Sequence, residues 1–192
     1  MSRSAAAYHH GDLRAALVDA AVTLVEEQSP ARLSLREVAR AAGVSHAAPY
    51  HHFADRGELL KAAGDRCMAD FLAAQETAVA AHDDPDARLV ALGEAYVGYA
   101  AAHPHAFALV FDPELCPPGD PSPERAVLIA RNEELLARCV TDLLTARGQD
   151  PARAPALADA LWGTVHGLAA LVGDGHLPVG AVRPALEARL GL

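Results

Sequence analysis

Apolar positions recur along most of this chain at intervals of three and four, the period of an α-helix with one face turned inward. Leu13, Leu17, Ala20, Ala21 and Leu24 form the first stripe. They predict a helix from about Asp12, placed as its cap, to Gln28, where Ser29-Pro30 stops it. A second helix should begin at Ser34, because Ser34-Leu-Arg-Glu37 has the capping-box pattern: the serine oxygen accepts one orphan amide and the glutamate reaches back to another. Leu35, Val38 and Ala39 then face inward, Gly43 supplies a left-handed stop, and Val44 is the apolar residue that pins the turn. Ser45 is placed to cap a third, short helix through Tyr50. Pro49, early in that helix, removes an amide donor, so the helix should be short or tightened.

The pattern continues with a second cap, Asp55 with Glu58, opening a long helix to about Ala81. Leu59, Leu60, Ala63, Cys67 and Phe71 share one of its faces, and Gly64 inside it reads as a soft point. His82-Asp-Asp-Pro85 marks a boundary, with Asp84 as cap and Pro85 as first residue of a fifth helix that carries Leu89, Leu92, Tyr96 and Tyr99 inward. A sixth runs from Pro104 to near Phe111, and the prolines and Gly119 between Asp112 and Pro123 predict a loop. Glu124 to Arg147 reads as a seventh helix. Asp150-Pro151 opens an eighth, ending at Gly173-Asp-Gly175, and a ninth covers about Val179 to Leu190. The expected fold is all-α, with about nine helices and no internal repeat.

Composition agrees, since alanine and leucine dominate over β-branched residues. No apolar run reads as long enough to span a bilayer, and Met1 to Arg14 lacks the apolar stretch of a signal peptide, so a soluble, cytoplasmic protein without membrane contact is expected. Cys67, Cys116 and Cys139 have no metal-like spacing and read as free thiols, small buried or half-buried hydrophobes. The formal charge of −9 argues against a polyanionic partner until its distribution is examined. Up to Arg56 the cations (Arg3, Arg14, Arg32, Arg36, Arg40, Arg56) balance the anions (Asp12, Asp19, Glu26, Glu27, Glu37, Asp55). A neutral, histidine-bearing head on an acidic body permits the head alone to face phosphate. Arg3 either reaches an adjacent groove or is simply solvated.

Two helices joined by a tight glycine turn, the second short and capped, are the elements of a helix-turn-helix. Ala39 is the small residue at the crossing, Gly43 the left-handed turn and Val44 the lock. The run Leu33-Ser-Leu-Arg-Glu-Val-Ala-Arg-Ala-Ala-Gly-Val-Ser-His-Ala-Ala-Pro-Tyr-His-His-Phe53 resembles the DNA-binding signature of the TetR family of bacterial regulators. Arg56-Gly-Glu-Leu-Leu60 resembles the family's start of the connecting helix, with arginine where lysine is usual, and the match covers about Leu13 to Phe71. The resemblance implies that Ser34, Tyr50, His52 and Arg56 touch the DNA backbone. It also implies that Ser45, His46, Ala47, Ala48 and His51 form the exposed face of the recognition helix. The chemistry is compatible: hydroxyls, imidazoles and a cation donate to phosphate oxygens. His46 and His51 suit base edges, and Ala47 or Ala48 a thymine methyl. Phe53 reads as core. The paired His9-His10 and His51-His52 lack the cysteine or carboxylate partners of a metal site, and no metal or cofactor is expected.

In the second half, Leu161-Trp-Gly-Thr-Val-His-Gly-Leu168 resembles the Trp-x-x-x-His-Gly motif of one class of TetR-family C-terminal domains. Trp162 and His166, four apart, share a helix face, while Gly163 and Gly167 leave a second face smooth. That smooth face serves a tight crossing, either within the bundle or across a dimer seam. The family's habit of pairing its last two helices into a four-helix interface favours the seam, with Gly163, Gly167, Leu168, Leu171, Val182 and Leu186 in it. Tyr96, Tyr99, Phe107, Phe111, Trp162 and His166 hold most aromatic rings of this half. Either they converge on an apolar pocket with polar tips, as small-molecule sites do, or they are ordinary core. His103-Pro-His105 reads as a helix-start loop.

The expected division is an arm and helix-turn-helix domain over 1–56, a connecting helix over 57–81 and a ligand-binding, dimerisation domain over 82–192. The expected partners are a double-stranded DNA operator, a small-molecule effector and a second copy of the chain. The competing readings are a small enzyme built on His166 with Asp159 or Asp174, and a helical interaction module without DNA binding. The first lacks a phosphate loop, an activated nucleophile or a paired acid–base set, and the second is opposed by the intact recognition segment.

Overall fold

The computed structural model describes the backbone of residues 10–192, with side chains from Leu13 onward, so Arg3 and His9 lie outside the described residues. Among the described residues there are eight α-helices and four short 3-10 turns, and no strand. α1 (His10–Glu27) begins two residues before the expected cap, which puts Asp12 inside its first turn. α2 (Leu35–Ala41) follows a 3-10 turn at Pro30–Arg32. Its capping box is complete: Glu37 N–H donates to Ser34 Oγ at 3.3 Å, and Glu37 Oε2 accepts from the Ser34 N–H at 3.0 Å and hydroxyl at 2.8 Å. At the other end Gly43 has φ +69°, the Val44 N–H closes back onto the Ala39 carbonyl at 2.9 Å and the Gly43 N–H onto the Arg40 carbonyl at 3.2 Å, so two orphan carbonyls of α2 are satisfied by the turn itself.

The expected third helix is not an α-helix. Ala48–His51 forms one 3-10 turn, entered from Ala47 without a side-chain cap, and Ser45 lies ahead of it in the turn. Pro49 is the reason, since its ring nitrogen cannot donate and its fixed φ suits a tight first turn. This accounts for eight α-helices rather than about nine. α3 (Arg56–Ala80) starts from Asp55, whose Oδ1 accepts from the Glu58 N–H at 2.9 Å, while Glu58 reaches one residue further back, to the Ala54 N–H at 2.6 Å. α4 (Pro85–Ala102) is capped by Asp84, α5 spans Pro104–Val110, and α6 (Pro123–Ala146) is capped by Ser122. α7 (Ala154–Gly173) and α8 (Val182–Leu190) each follow a 3-10 turn.

α3 is the spine, packing on α1, α4, α5 and α6, and α4 in turn meets α6, α7 and α8. One buried cluster runs without interruption from Leu17, Val38 and Phe53 through Ala63, Cys67 and Phe71 to Tyr96, Leu109 and Leu186. A second, around Leu89, Leu135, Val140, Leu143 and Leu161, holds α4, α6 and α7 together.

Three features correct the sequence reading. Gly64 is a close approach rather than a soft point, because a Cβ there would stand 2.8 Å from Arg125 Nη2. That arginine is 3% exposed and donates from Nε to Asp65 at 2.7 Å, tying α6 to α3. Val182 and Leu186, expected on a dimer seam, are 2% exposed and belong to this chain's own core, with Leu186 filling the space left by Gly93 of α4. Periodicity shows that a face is apolar but not what covers it. Finally, Pro151–Gly173 is long and apolar enough, by length and composition alone, to pass for a bilayer span. Arg153, Asp159 and His166 interrupt the span, so its apolar residues do not form a continuous run.

Candidate nucleic-acid interface and inner cavity

The segment from Ser45 to His51 is held from below and open above. Pro49 is buried and Phe53 is 1% exposed, with the Arg14 guanidinium 5.1 Å from the centre of its ring. Above this base, Ser45, His46, Ala47, Tyr50 and His51 are exposed, Tyr50 by 56%, while Ala48 and His52 are half-buried. Tyr50 thus presents its ring and its hydroxyl outward from a turn whose base is fixed by packing. Ser34 and Arg56 stand differently. The Ser34 hydroxyl is spent within the capping box, and Arg56 donates to the Leu33 carbonyl at 2.7 Å and the Pro30 carbonyl at 2.6 Å. Both side chains hold the frame of the motif, with at most part of the Arg56 fork left to face outward. Arg36 and Arg40, four apart on α2 and both exposed, were not singled out from the sequence. Their i, i+4 spacing on a capped helix was the available signal.

The aromatic residues of the second half converge around Phe71 of α3. Its ring lies 5.0 Å from Tyr96, 5.2 Å from Tyr99 and 5.9 Å from Phe107, and Phe107 lies 4.8 Å from Phe111. Beside them a cavity of about 500 Å³ opens between α3, α6, α7 and the loop after α5, lined by Phe71, Phe111, Leu136 and Trp162 among others. A narrow recess of about 40 Å³ between Tyr96, Leu161, Trp162 and Leu186 shares Asn132, Leu136 and Trp162 with it. The larger volume falls in the range of small-molecule sites. Tyr99 and Phe107 back this wall rather than border the space: the Tyr99 hydroxyl donates to the Cys67 carbonyl at 3.2 Å. Burial pushes the Tyr96 hydroxyl up to about 12, partly offset by Trp162, so it stays protonated. Its oxygen lies 2.9 Å from His166 Nδ1, a hydrogen bond whose donor is set by the imidazole tautomer. His166 is thereby paired with a tyrosine and not with Asp159 or Asp174.

His103 and His105 flank the start of α5 and both reach α1: His103 Nδ1 is 3.1 Å from Glu26, and His105 Nδ1 is 3.2 Å from the Val25 carbonyl. They link the helix beside the cavity to α1, which packs against α2 of the motif. The exposed surface of α7 is long and smooth. Ala156, Ala160, Gly163, Gly167 and Ala170 are exposed at helical spacing, Trp162 by 48% and Leu171 by 44%, with Leu168 half-buried. A Cβ at Gly163 or Gly167 would meet nothing within 4 Å, so among the described residues no helix crosses there.

The thiols divide by burial. Burial pushes Cys67 up to about 12 and raises Cys139 as well, and since only the thiolate reacts, both should be inert in the folded protein. Cys116, half-buried in the loop beside the cavity, should be the one thiol labelled by a maleimide at pH 8. Mass spectrometry should show a single adduct on native protein and three after denaturation; rapid native labelling of Cys67 would contradict its burial.

Known proteins bear directly on this arrangement. Residues 17–63 match the profile of the bacterial regulatory proteins of the tetR family, and residues 89–190 match the tetracyclin repressor-like C-terminal domain. No curated protein matches significantly. Among solved structures, a protein of unknown function from Rhodococcus sp. RHA1 is 35% identical, with a TM-score of 0.82 and 97% of each chain covered. A transcriptional regulator FadR from Bacillus subtilis, in complex with stearoyl-CoA, shares the fold at 16% identity, TM-score 0.69, over 92% of this chain and 96% of that one. A tetR-family regulator from Streptomyces coelicolor does so at 21% identity, TM-score 0.70, over 95% and 80%. With more than half of its length matched by the second profile and the helix-turn-helix by the first, the chain belongs to the tetR family of bacterial transcriptional regulators.

Proposed function

We propose that this regulator is a homodimeric repressor that grips a near-palindromic operator and releases it when a small molecule fills the inner cavity. The observation that carries the DNA half is the exposed Tyr50–His51 edge over the buried Pro49–Phe53 base. Tyr50 and His52 are positioned to hold phosphates, and His46, His51 and the small Ala47 and Ala48 to approach base edges. Arg36 and Arg40 add cations on the same small domain. Ser34 and Arg56 act chiefly by fixing the motif's geometry.

The exposed glycine face of α7 supports pairing with a second copy, which would set two recognition turns about one DNA turn apart, roughly 34–36 Å. Ligand in the cavity acts through its preference for one of two spacings, with α3 and the His103–Glu26 and His105–Val25 contacts as the links. FadR with stearoyl-CoA shows that this fold admits a small molecule. The Trp162-x-x-x-His166-Gly167 run supports the class of C-terminal domains bearing that motif. The same reading divides the chain at about 56 and 81, makes it a binding protein rather than an enzyme, and places it in the cytoplasm with its DNA.

Tyr50→Ala tests the DNA half. Against a duplex selected from a random library, we expect about tenfold weaker binding in a gel-shift titration, the scale of one lost charge-assisted contact. The melting temperature should be unchanged. Undiminished affinity would remove Tyr50 from the interface.

A further inference from the structure

Gln75 and Arg125 are the two buried polar side chains of the described residues, each 3% exposed. Arg125 is neutralised by Asp65. Gln75 is only half satisfied. Its Nε2 donates to the Phe71 carbonyl at 3.3 Å and to Asn132 Oδ1 at 3.0 Å. A carbonyl can only accept, so the Phe71 bond fixes which end of the Gln75 amide is nitrogen. The bond to Asn132 then uses that residue's oxygen and leaves its Nδ2 for another partner.

Gln75 Oε1 therefore has no protein donor among the described residues. No side-chain nitrogen or oxygen there is both sealed and unbonded, so this oxygen opens onto the narrow recess that Gln75 lines. Asn132 borders the recess and the wide cavity alike. An acceptor and a donor thus stand side by side, one in the recess and the other in the wall it shares with the wide cavity, among otherwise largely apolar residues. The charged groups lining the wide cavity are Glu133, Asp159 and the already paired Arg125. Arg125 spends its Nε on Asp65 and its Nη1 on the Val110 carbonyl, so its charge is already balanced although Nη2 keeps free donors; a carboxylate or phosphate would meet no net positive charge and would face Glu133, Asp159 and the Gln75 oxygen.

We propose that the joined cavities take an uncharged, mainly aliphatic molecule bearing a carboxamide-type group. The amide N–H donates to Gln75 Oε1, its carbonyl accepts from Asn132 Nδ2, and its hydrocarbon lies along Phe111, Leu136 and Trp162. The recess has room for a head group and the wide cavity for a chain. This ligand class deepens the effector-site reading and rests on it. It also separates this chain from an acyl-CoA binder, because the phosphates of such a ligand need cations.

Trp162 borders both spaces and is the only tryptophan of the chain, so its fluorescence reports occupancy. Decanamide, methyl decanoate and sodium decanoate make a matched series for titration. Decanamide should bind at least about tenfold more tightly than the other two, because they leave the buried acceptor unsatisfied. Gln75→Leu should cut that advantage to about threefold or less while leaving methyl decanoate affinity unchanged. If that variant fails to fold, Asn132→Ala, at a half-buried position, should lose the same preference. Equal binding of the three, or tighter binding of decanoate, overturns the ligand class and leaves the cavity as an effector site. Decanamide bound with the expected preference but without weakening the operator complex overturns the effector reading and leaves the class. No fluorescence response to any of the three at their solubility limits overturns both.

Discussion

Gly167→Arg should yield a folded chain that no longer pairs and that holds a selected operator duplex at least about a hundredfold less tightly. The fold should survive because a Cβ at Gly167 meets nothing within 4 Å and the position is exposed in mid-α7. Arginine is also the better helix former, by somewhat under 1 kcal/mol. The loss should come from the other side of that face. If a second α7 crosses at Gly163 and Gly167, its backbone approaches where an arginine would stand, and a guanidinium would be buried without a partner. Two half-sites held by one dimer gain roughly 10²–10⁴ in affinity over a single site, and a monomer forfeits that gain. Sedimentation would show the halved mass, a gel shift the lost affinity and circular dichroism the retained helix. Gly163→Ala, which adds only a methyl, should weaken pairing far less. A Gly167→Arg protein that still sediments as a dimer and binds operator normally would move the seam off α7.

That test is needed because of what the chain does and does not reveal in one dimension. Local chemistry was legible. Ser34 with Glu37, Gly43 with Val44, and Asp84 with Pro85 each solve a problem of orphan backbone groups within a few residues, so sequence spacing and spatial spacing coincide. The Pro49 warning was legible for the same reason, although its outcome, a 3-10 turn in place of an α-helix, depends on the fixed φ and missing donor acting together. The convergence of Tyr96, Phe107 and Phe111 was half legible: their faces could be read from periodicity, but Phe71 at their centre comes from another helix. Tertiary partners were not legible at all. Arg125 with Asp65 spans 60 residues and Gln75 with Asn132 spans 57, and neither pair has a local signature. Leu186 reads as a seam residue because its partner inside the chain, Gly93, announces itself only by lacking a side chain.

Phe71→Ala should cost about 3–5 kcal/mol of folding stability. The ring is fully buried and packs edge-on or tilted against Tyr96, Tyr99, Phe107 and Phe111, with centroids between 5.0 and 6.4 Å. Truncation removes the transfer energy of the ring and the edge-to-face contacts with its neighbours, and these rings cannot collapse inward because they come from α4, α5 and the loop after it. Phe111 offers the internal comparison. It is 38% exposed at the cavity mouth, so Phe111→Ala should cost less than half as much. Urea unfolding followed by circular dichroism gives both values, with protein concentration held fixed so that association does not enter the difference. A Phe71→Ala loss under about 1 kcal/mol, or one no greater than that of Phe111→Ala, would mean the cluster is not what joins α3 to the cavity wall. In that case the coupling from cavity to recognition turn would have to run through the Arg125–Asp65 pair and the His103–Glu26 and His105–Val25 contacts. A loss of the expected size, together with a Trp162 emission shifted to longer wavelength, would place the same ring at the centre of both the fold and the effector site.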